Sequence, residues 1–393
     1  MRILHVLHTS LPNVSGYSLR SNQILTLQRA AGLEVAVVTS VQQPDAAGDE
    51  TIDGIRYFRS TQKVIGSTPL REWRMMRALE ANVARAVASF TPDIIHAHSP
   101  VLVGMPALRV ARRTGKPFVY EVRDLWENAS VDRGKFAAGS IPYKTAKLLE
   151  TRVLRRADAV FTLGETLRGE LAPRARQTVY VAPNGADTDA FSPIAVDAAW
   201  IQRWNPNDAL LLAYIGSFQP YEGLDVLLRA LPAIVESIRS ARLLIAGDGP
   251  ESAGLRQLAK VMGVEKWVTF AGRVPHSQVR EIYAVADVLV YPRLDTLTTR
   301  LTTPLKPLEA LAMEKAVLAS DLPALRELIV QDETGRLFES GNAEALAREA
   351  VALLRDSDLR RTLGQAGRRR TVEHRTWNQS VARYLPVYQK LLM

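Results

Sequence analysis

The chain has 393 residues, 47% hydrophobic and 23% charged, which excludes a mostly disordered chain, a fibrous repeat and a coiled coil. It holds no cysteine, so a disulfide framework or a thiolate site is excluded, and its six histidines show no metal-ligand spacing. The formal net charge is +9, of which +7 falls in residues 1–190; with no nucleic-acid recognition motif legible, the expected anionic partner is a lipid surface or a phosphorylated substrate.

Short apolar runs alternate with longer amphipathic segments from the start. Residues 2–7 read as a buried strand, 18–31 as a helix and 34–39 as a second strand, with Gly32 at the turn. Further strands are expected at 55–58, 94–97, 118–122, 159–162 and 178–181, with helices such as 71–90 between them. After Pro193 the rhythm restarts, with strands at 210–215, 242–246, 268–270, 288–291 and 316–319. Such alternation predicts an α/β fold, with parallel sheets covered by helices on both faces. The stretch 181–193 is rich in Pro, Asn, Gly and Asp and reads as a linker. Two similar domains, 1–190 and 191–376, are therefore expected, followed by an amphipathic helix at 377–393 that can pack back on the first. No signal peptide is recognisable, and no run reaches the ~20 apolar residues of a membrane span. The expectation is a cytoplasmic protein able to touch a membrane without crossing it.

Ligands of open parallel sheets bind beyond the carboxyl ends of the strands. The first such loop, 8–19, contains Gly16 between Ser15 and Ser18; it is either a plain turn or a close approach of backbone to ligand. The loop AGDGPE, with Gly247 and Gly249, does not complete a dinucleotide fingerprint, because Ser252 stands where the third glycine belongs. The densest constellation lies in residues 291–321, where Arg293, Arg300 and Lys306 precede a helix expected to begin near Pro307. Three cations in one strand-to-helix loop suit a diphosphate. Glu309, in the first turn of that helix, is either a capping charge or an acceptor for two sugar hydroxyls. His96 and His98 end a strand and share one side of it, either serving substrate hydroxyls or phosphate or acting as hydrogen-bonded structural residues. Arg123, Asp124 and Trp126 follow the next strand, Trp126 as a core residue or a sugar platform.

The segments PDIIHAHSP, VAPNGADTDAFSP, IGSFQPYEGLDVLLRA, LLIAGDGPE, VTFAGRVPHSQVREIYAVADVLVYP and PLKPLEALAMEKAVLASD resemble, in order and spacing, glycosyltransferase family 4. The resemblance spans essentially the whole chain. It implies the GT-B fold, two Rossmann-like domains with the active site in the cleft between them. The first would bind the acceptor and the second a nucleotide-sugar. The opening thirty residues, together with LTTPLKPLEALAM, look like the exosortase-associated branch found beside exopolysaccharide genes.

The implied reaction is transfer of a sugar, of hexosyl type, from a nucleotide-sugar to a hydroxyl of a glycan or polyprenyl-diphosphate-linked acceptor, with retention of configuration. No metal or separate cofactor is implied. Family members commonly carry a Glu-x7-Glu motif; here Glu309 keeps the ribose position, but Leu301 replaces the first Glu, leaving Thr302 and Thr303 for the sugar. Ser217 and Glu222 stand where an Arg and a Lys usually bind the diphosphate, so Arg300 and Lys306 must neutralise it. Arg123 replaces the usual His before Asp124, and His98 completes the catalytic set of that side. The resemblance also brings Gly16, Ser217, Gly247, Arg273 and Arg293 to the donor. The lost residues leave a second reading, an inactive binding or scaffold protein, and a third, a GT-B sugar epimerase.

Residues 142–156 carry Lys144, Lys147, Arg152, Arg155 and Arg156 against Glu150. Ala146, Leu149 and Val153 line one face of the expected helix, with Leu154 at its edge. That apolar face is narrow and reads either as the side packed on the first domain or as a membrane contact. The cations stay outside in either case, and that basic surface suits an anionic leaflet.

Overall fold

Apolar runs bounded by turn residues form the strands, and the amphipathic segments between them form the covering helices. The computed structural model describes residues 1–43, 48–62 and 64–393. Two units result, Met1–Asn184 with Trp377–Met393, and Gly185–Thr376. The first unit thus ends inside the stretch read as a linker, slightly before residue 190.

The first unit holds β1 (Arg2–Leu7), β2 (Glu34–Thr39), β3 (Glu50–Ile52), β4 (Ile55–Phe58), β5 (Ile94–His98), β6 (Phe118–Val122), β7 (Ala159–Thr162) and β8 (Val179–Val181). Their order is β3-β4-β2-β1-β5-β6-β7-β8, and only the β3–β4 pair is antiparallel. Strand β3 escaped the sequence pattern because it is three residues long and mostly exposed. The helices are α1 (Gly16–Ala30), α2 (Leu70–Phe90), α3 (Val101–Thr114), α4 (Trp126–Asp132), α5 (Ile141–Leu154) and α6 (Glu165–Leu171). Helix α1 begins with a capping box, in which Ser15 and Ser18 satisfy each other's backbone N–H groups.

The second unit holds β9 (Leu211–Ile215), β10 (Arg242–Ala246), β11 (Val268–Gly272), β12 (Val288–Tyr291), β13 (Ala316–Ser320) and β14 (Arg336–Phe338), all parallel, in the order β11-β10-β9-β12-β13-β14. Its helices are α7 (Ala198–Trp204), α8 (Leu224–Ser237), α9 (Ser252–Val261), α10 (Val279–Val285), α11 (Lys306–Ala312), α12 (Pro323–Arg326), α13 (Ala343–Arg355) and α14 (Ser357–His374). Both sheets reverse direction of growth at an interior strand, β1 in one and β9 in the other. Such a switch point opens a crevice at the carboxyl ends of the strands.

The last segment is two helices rather than one, α15 (Trp377–Ala382) and α16 (Leu385–Leu391). It returns to the first unit, where Val381, Tyr384, Val387 and Tyr388 join the core of that sheet. Among the described residues no helix is long and apolar enough to cross a membrane.

Candidate active site

In the second unit, three strand ends converge on a small set of groups. Past β9 the chain runs through Gly216 and Ser217, and past β10 through Gly247. A Cβ on Gly247 would sit 1.7 Å from the Gly216 carbonyl oxygen, and its φ of +141° disfavours any side chain. A Cβ on Gly216 would lie 1.9 Å from Lys306 Nζ, so the absence of a side chain at Gly216 makes room for that ammonium.

Lys306 opens α11, and its backbone carbonyl accepts a hydrogen bond from the Tyr291 hydroxyl at 3.0 Å. Its ammonium stands over the Tyr214 ring, 5.3 Å from the centroid, and donates to the Tyr214 hydroxyl at 3.4 Å. Tyr214 in turn donates to the Ser217 carbonyl at 2.9 Å, which ties the lysine to the β9 loop. Burial pushes the ammonium below the usual lysine range, with the Glu222 carboxylate opposing that shift. A desolvated cation with one long hydrogen bond retains donors for an anion.

Arg293, past β12, is buried, 3.6 Å from the buried Glu222 carboxylate, and donates to the Thr302 carbonyl at 3.0 Å. Glu309 accepts from the Tyr283 hydroxyl at 2.9 Å and remains half-buried one turn along α11. Thr302 is half-buried and Thr303 buried in the same loop.

Arg300 corrects the expected three-cation loop. It is exposed and forms a two-pronged pair with Asp295, Nη2 to Oδ2 at 2.7 Å, because a bend brings that carboxylate five residues back against it. The loop therefore joins Arg293 and Lys306, and Arg300 is neutralised on the surface. Arg273 is exposed past β11 and adds to the field that lowers the pKa of Asp248 in the β10 loop, after the Ser252 and Gly249 hydrogen bonds. Gly16 belongs to the first unit, exposed at the start of α1.

In the first unit, register places His5 beside His96 and His98 beside Glu121, all on one sheet face. All four are buried. Arg123 Nη2 donates to His98 Nδ1 at 2.7 Å, so the neutral His98 ring carries its proton on Nε2 and donates to His5 Nδ1 at 3.0 Å. His5 Nε2 donates to Gln28 at 2.8 Å, Gln28 to the Tyr388 hydroxyl at 3.1 Å, and Tyr388 to His96 Nδ1 at 2.6 Å. One direction of hydrogen bonding runs through the whole chain of groups. Burial pushes His5 to about 4 and His98 to about 3, and holds His96 well below the usual histidine value.

Glu121 anchors the set. Burial raises its pKa, but Arg20, His98 and Arg123 outweigh that and hold it well below the usual carboxylate range. Arg20 and Arg123 each donate to Oε1 at 3.0 Å, and Tyr384 donates to Oε2 at 2.5 Å. The ring nitrogens of His5, His96 and His98 lie within 4.8 Å of one another, a spacing that suits a metal cluster, yet His5 Nδ1 and His98 Nε2 already bond each other.

This network changes the roles expected of Arg123 and His98. Arg123 spends both Nη1 donors on the Tyr17 carbonyl and the Ser21 hydroxyl, each at 2.9 Å. Both residues hold strand ends in place: His98 has no donor left for a substrate, and Arg123 commits four of its five to the network. Asp124 is different: it is half-buried and accepts one weak hydrogen bond from Ser99 at 3.3 Å. Burial raises its pKa, with Arg133 as the largest opposing influence. Trp126 is half-buried and packs edge-on against Phe136. Sequence reading missed Glu121, Arg20, Gln28, Tyr384 and Tyr388, although a glutamate inside an otherwise buried strand signals a required partner.

Residues 15–185 match the Glycosyl transferase 4-like domain, and residues 197–370 match Glycosyl transferases group 1. A GDP-mannose-dependent alpha-mannosyltransferase of Mycolicibacterium smegmatis is 27% identical over 385 residues, covering 96% of this chain and 94% of that one. A D-inositol 3-phosphate glycosyltransferase of Salinispora arenicola is 28% identical, covering 79% and 71%. Among solved structures, sucrose-phosphate synthase from Thermosynechococcus elongatus superposes with a TM-score of 0.81 at 21% identity, over 99% of this chain and 98% of that one. Anabaena HepE in complex with UDP-glucose gives 0.75 at 17% identity, over 98% and 100%. With a matching domain on each unit and the GT-B architecture in both, the chain belongs to the group 1, family 4 glycosyltransferases.

Proposed function

We propose that the protein moves a hexose from a nucleoside diphosphate sugar to a hydroxyl of a glycan or polyprenyl-diphosphate-linked acceptor. The observation that carries this reading is the Lys306 ammonium, desolvated above Gly216 with donors to spare. Departure of a nucleoside diphosphate concentrates negative charge on the oxygen that leaves the sugar, and a fixed cation there stabilises the transition state more than the ground state. Lys306 serves that role, with Arg293 behind it in place of the cations replaced by Ser217 and Glu222. Glu309 accepts the ribose hydroxyls, its carboxylate held in the first turn of α11 by the Tyr283 hydroxyl. Thr302 and Thr303 face the sugar.

Asp124 orients the acceptor hydroxyl. Retention of configuration follows from attack on the face the diphosphate leaves, with the departing phosphate oxygen taking the hydroxyl proton. The GDP-mannose use of one relative and the UDP-glucose bound in one structural neighbour support a nucleotide-sugar donor. The resemblance to the exosortase-associated branch supports a place in exopolysaccharide assembly.

Incubation with GDP-mannose, UDP-glucose and their relatives tests the reading. Diphosphate release from at least one donor, with an axial linkage retained in the product by NMR, is expected. No release from any of them, or an inverted product, would contradict it.

A further inference from the structure

Two adjoining cavities on the first unit fall outside the sugar chemistry. One, of about 560 Å³, lies between α3 and α5, with Arg109, Arg112 and Arg113 on one side and Arg152 and Arg156 on the other. Its floor is Met105, Leu108 and Leu149. The second, of about 340 Å³, shares Leu149, Arg152 and Arg156 and adds Leu148, Arg155 and Arg176. The charge is poorly balanced. Glu80 pairs with Arg109 and Arg113, and Asp158 with Arg112, whereas no ion pair among the described residues reaches Arg152, Arg156 or Arg176.

The helix that supplies much of this surface hides its own acid. Glu150, expected from the sequence to offset the cations, is fully buried, and burial favours its uncharged form, so it does not temper their field. Leu148 and Ile141, two turns apart on α5, are 69% and 81% exposed, so an apolar edge stands beside the arginines. An apolar floor and an exposed leucine give nucleic acid or free phosphate nothing to gain, whereas a phospholipid offers an anionic head and an acyl chain together.

We propose that this arginine-lined groove docks the protein on an anionic phospholipid bilayer, with lipid phosphates between Arg152, Arg156 and Arg176 and with Leu148 entering the headgroup region. The proposal stands independently of the donor chemistry. It extends the basic surface expected on α5 alone to a two-helix groove that includes α3.

Sedimentation of the full chain with vesicles tests it. Binding to mixed phosphatidylglycerol–phosphatidylcholine vesicles at low salt is expected, with none to phosphatidylcholine alone and release at ~1 M salt, where the screening length is roughly 3 Å. Replacing Arg152→Gln and Arg156→Gln together should weaken binding by at least about tenfold, each nearby cation counting for roughly fivefold. Leu148→Ser should weaken it further, whereas Arg348→Gln, a 70% exposed arginine of the second unit, should leave it unchanged. Melting curves confirm that each variant is folded, and Arg176→Gln replaces the double variant if that one melts early. Equal binding to neutral vesicles, none to anionic ones, or an unaffected folded double variant would overturn the proposal. Release by glycerol phosphate at matched ionic strength, or full binding by Leu148→Ser with displacement by duplex DNA, would identify a free-phosphate or polyanion site and equally overturn it.

Discussion

Arg293 and Glu222 form a buried ion pair, Nε to Oε2 at 3.6 Å, at the position where a family member would carry a lysine. The acid is thus a support for a cation delivered from another strand end. Its carboxylate also favours the charged form of Lys306, which burial alone disfavours.

Glu222→Gln is therefore expected to lower the melting temperature and to weaken nucleoside diphosphate binding together. Loss of a charge-assisted contact to buried Arg293 is worth about 1.5–3 kcal/mol. Glu222→Lys, which restores the usual family residue, should do worse, because it sets a third cation beside Arg293 and Lys306. Calorimetric titration and thermal melts check both; a gain of affinity in the Lys variant would refute the supporting role.

Arg300→Ala should leave nucleotide affinity within error of the parent. Its charge is already matched by Asp295, and both side chains face water. A clear loss of affinity in the titration would return Arg300 to the diphosphate site.

Glu309 separates two roles. If the carboxylate held by Tyr283 also accepts ribose hydroxyls, Glu309→Gln turns an acceptor into a donor and should reduce nucleotide affinity by about tenfold. Tyr283→Phe should mainly reduce stability, by about 1 kcal/mol, since it removes a neutral donor from a buried pair. If Glu309→Gln lowers only the melting temperature, the carboxylate is structural.

Glu150 makes stability depend on pH. Burial, then the neighbouring Glu127 carboxylate, pushes its carboxyl from an ordinary 4.5 up to about 8. Between those values the unfolded chain releases a proton that the native protein keeps. Stability from this group is therefore full below about 4.5 and is lost as pH rises through about 8. Glu150→Gln should flatten that fall in melting temperature across the same window. A fall of equal size in the variant would assign the dependence elsewhere.

Most strands of both sheets were legible because they read as unbroken apolar runs; β3 and β14 were not, each being three residues long and flanked by polar chain. Gly247 and the 291–321 loop stand out in the sequence because glycine and clustered cations are unusual at strand ends. Which cations meet was not legible. A bend gives Arg300 a partner five residues away, whereas Glu222 and Lys306 lie far apart in sequence. The histidine network was half legible: alternation put His96 and His98 on one face, but Gln28 and Tyr388 reach them only through tertiary packing. Tyr384, which caps α16, and Tyr388 within it look like ordinary core residues until their hydroxyls are traced to Glu121 and His96.

The most direct measurement of the donor site is calorimetric titration of the parent and Lys306→Ala with a nucleoside diphosphate. The parent should bind, and the variant should bind at least about tenfold more weakly with its melting temperature preserved, since an ammonium–phosphate contact is worth about 1.5–3 kcal/mol. Equal affinity in a folded Lys306→Ala protein would contradict the placement of the leaving group beside this lysine.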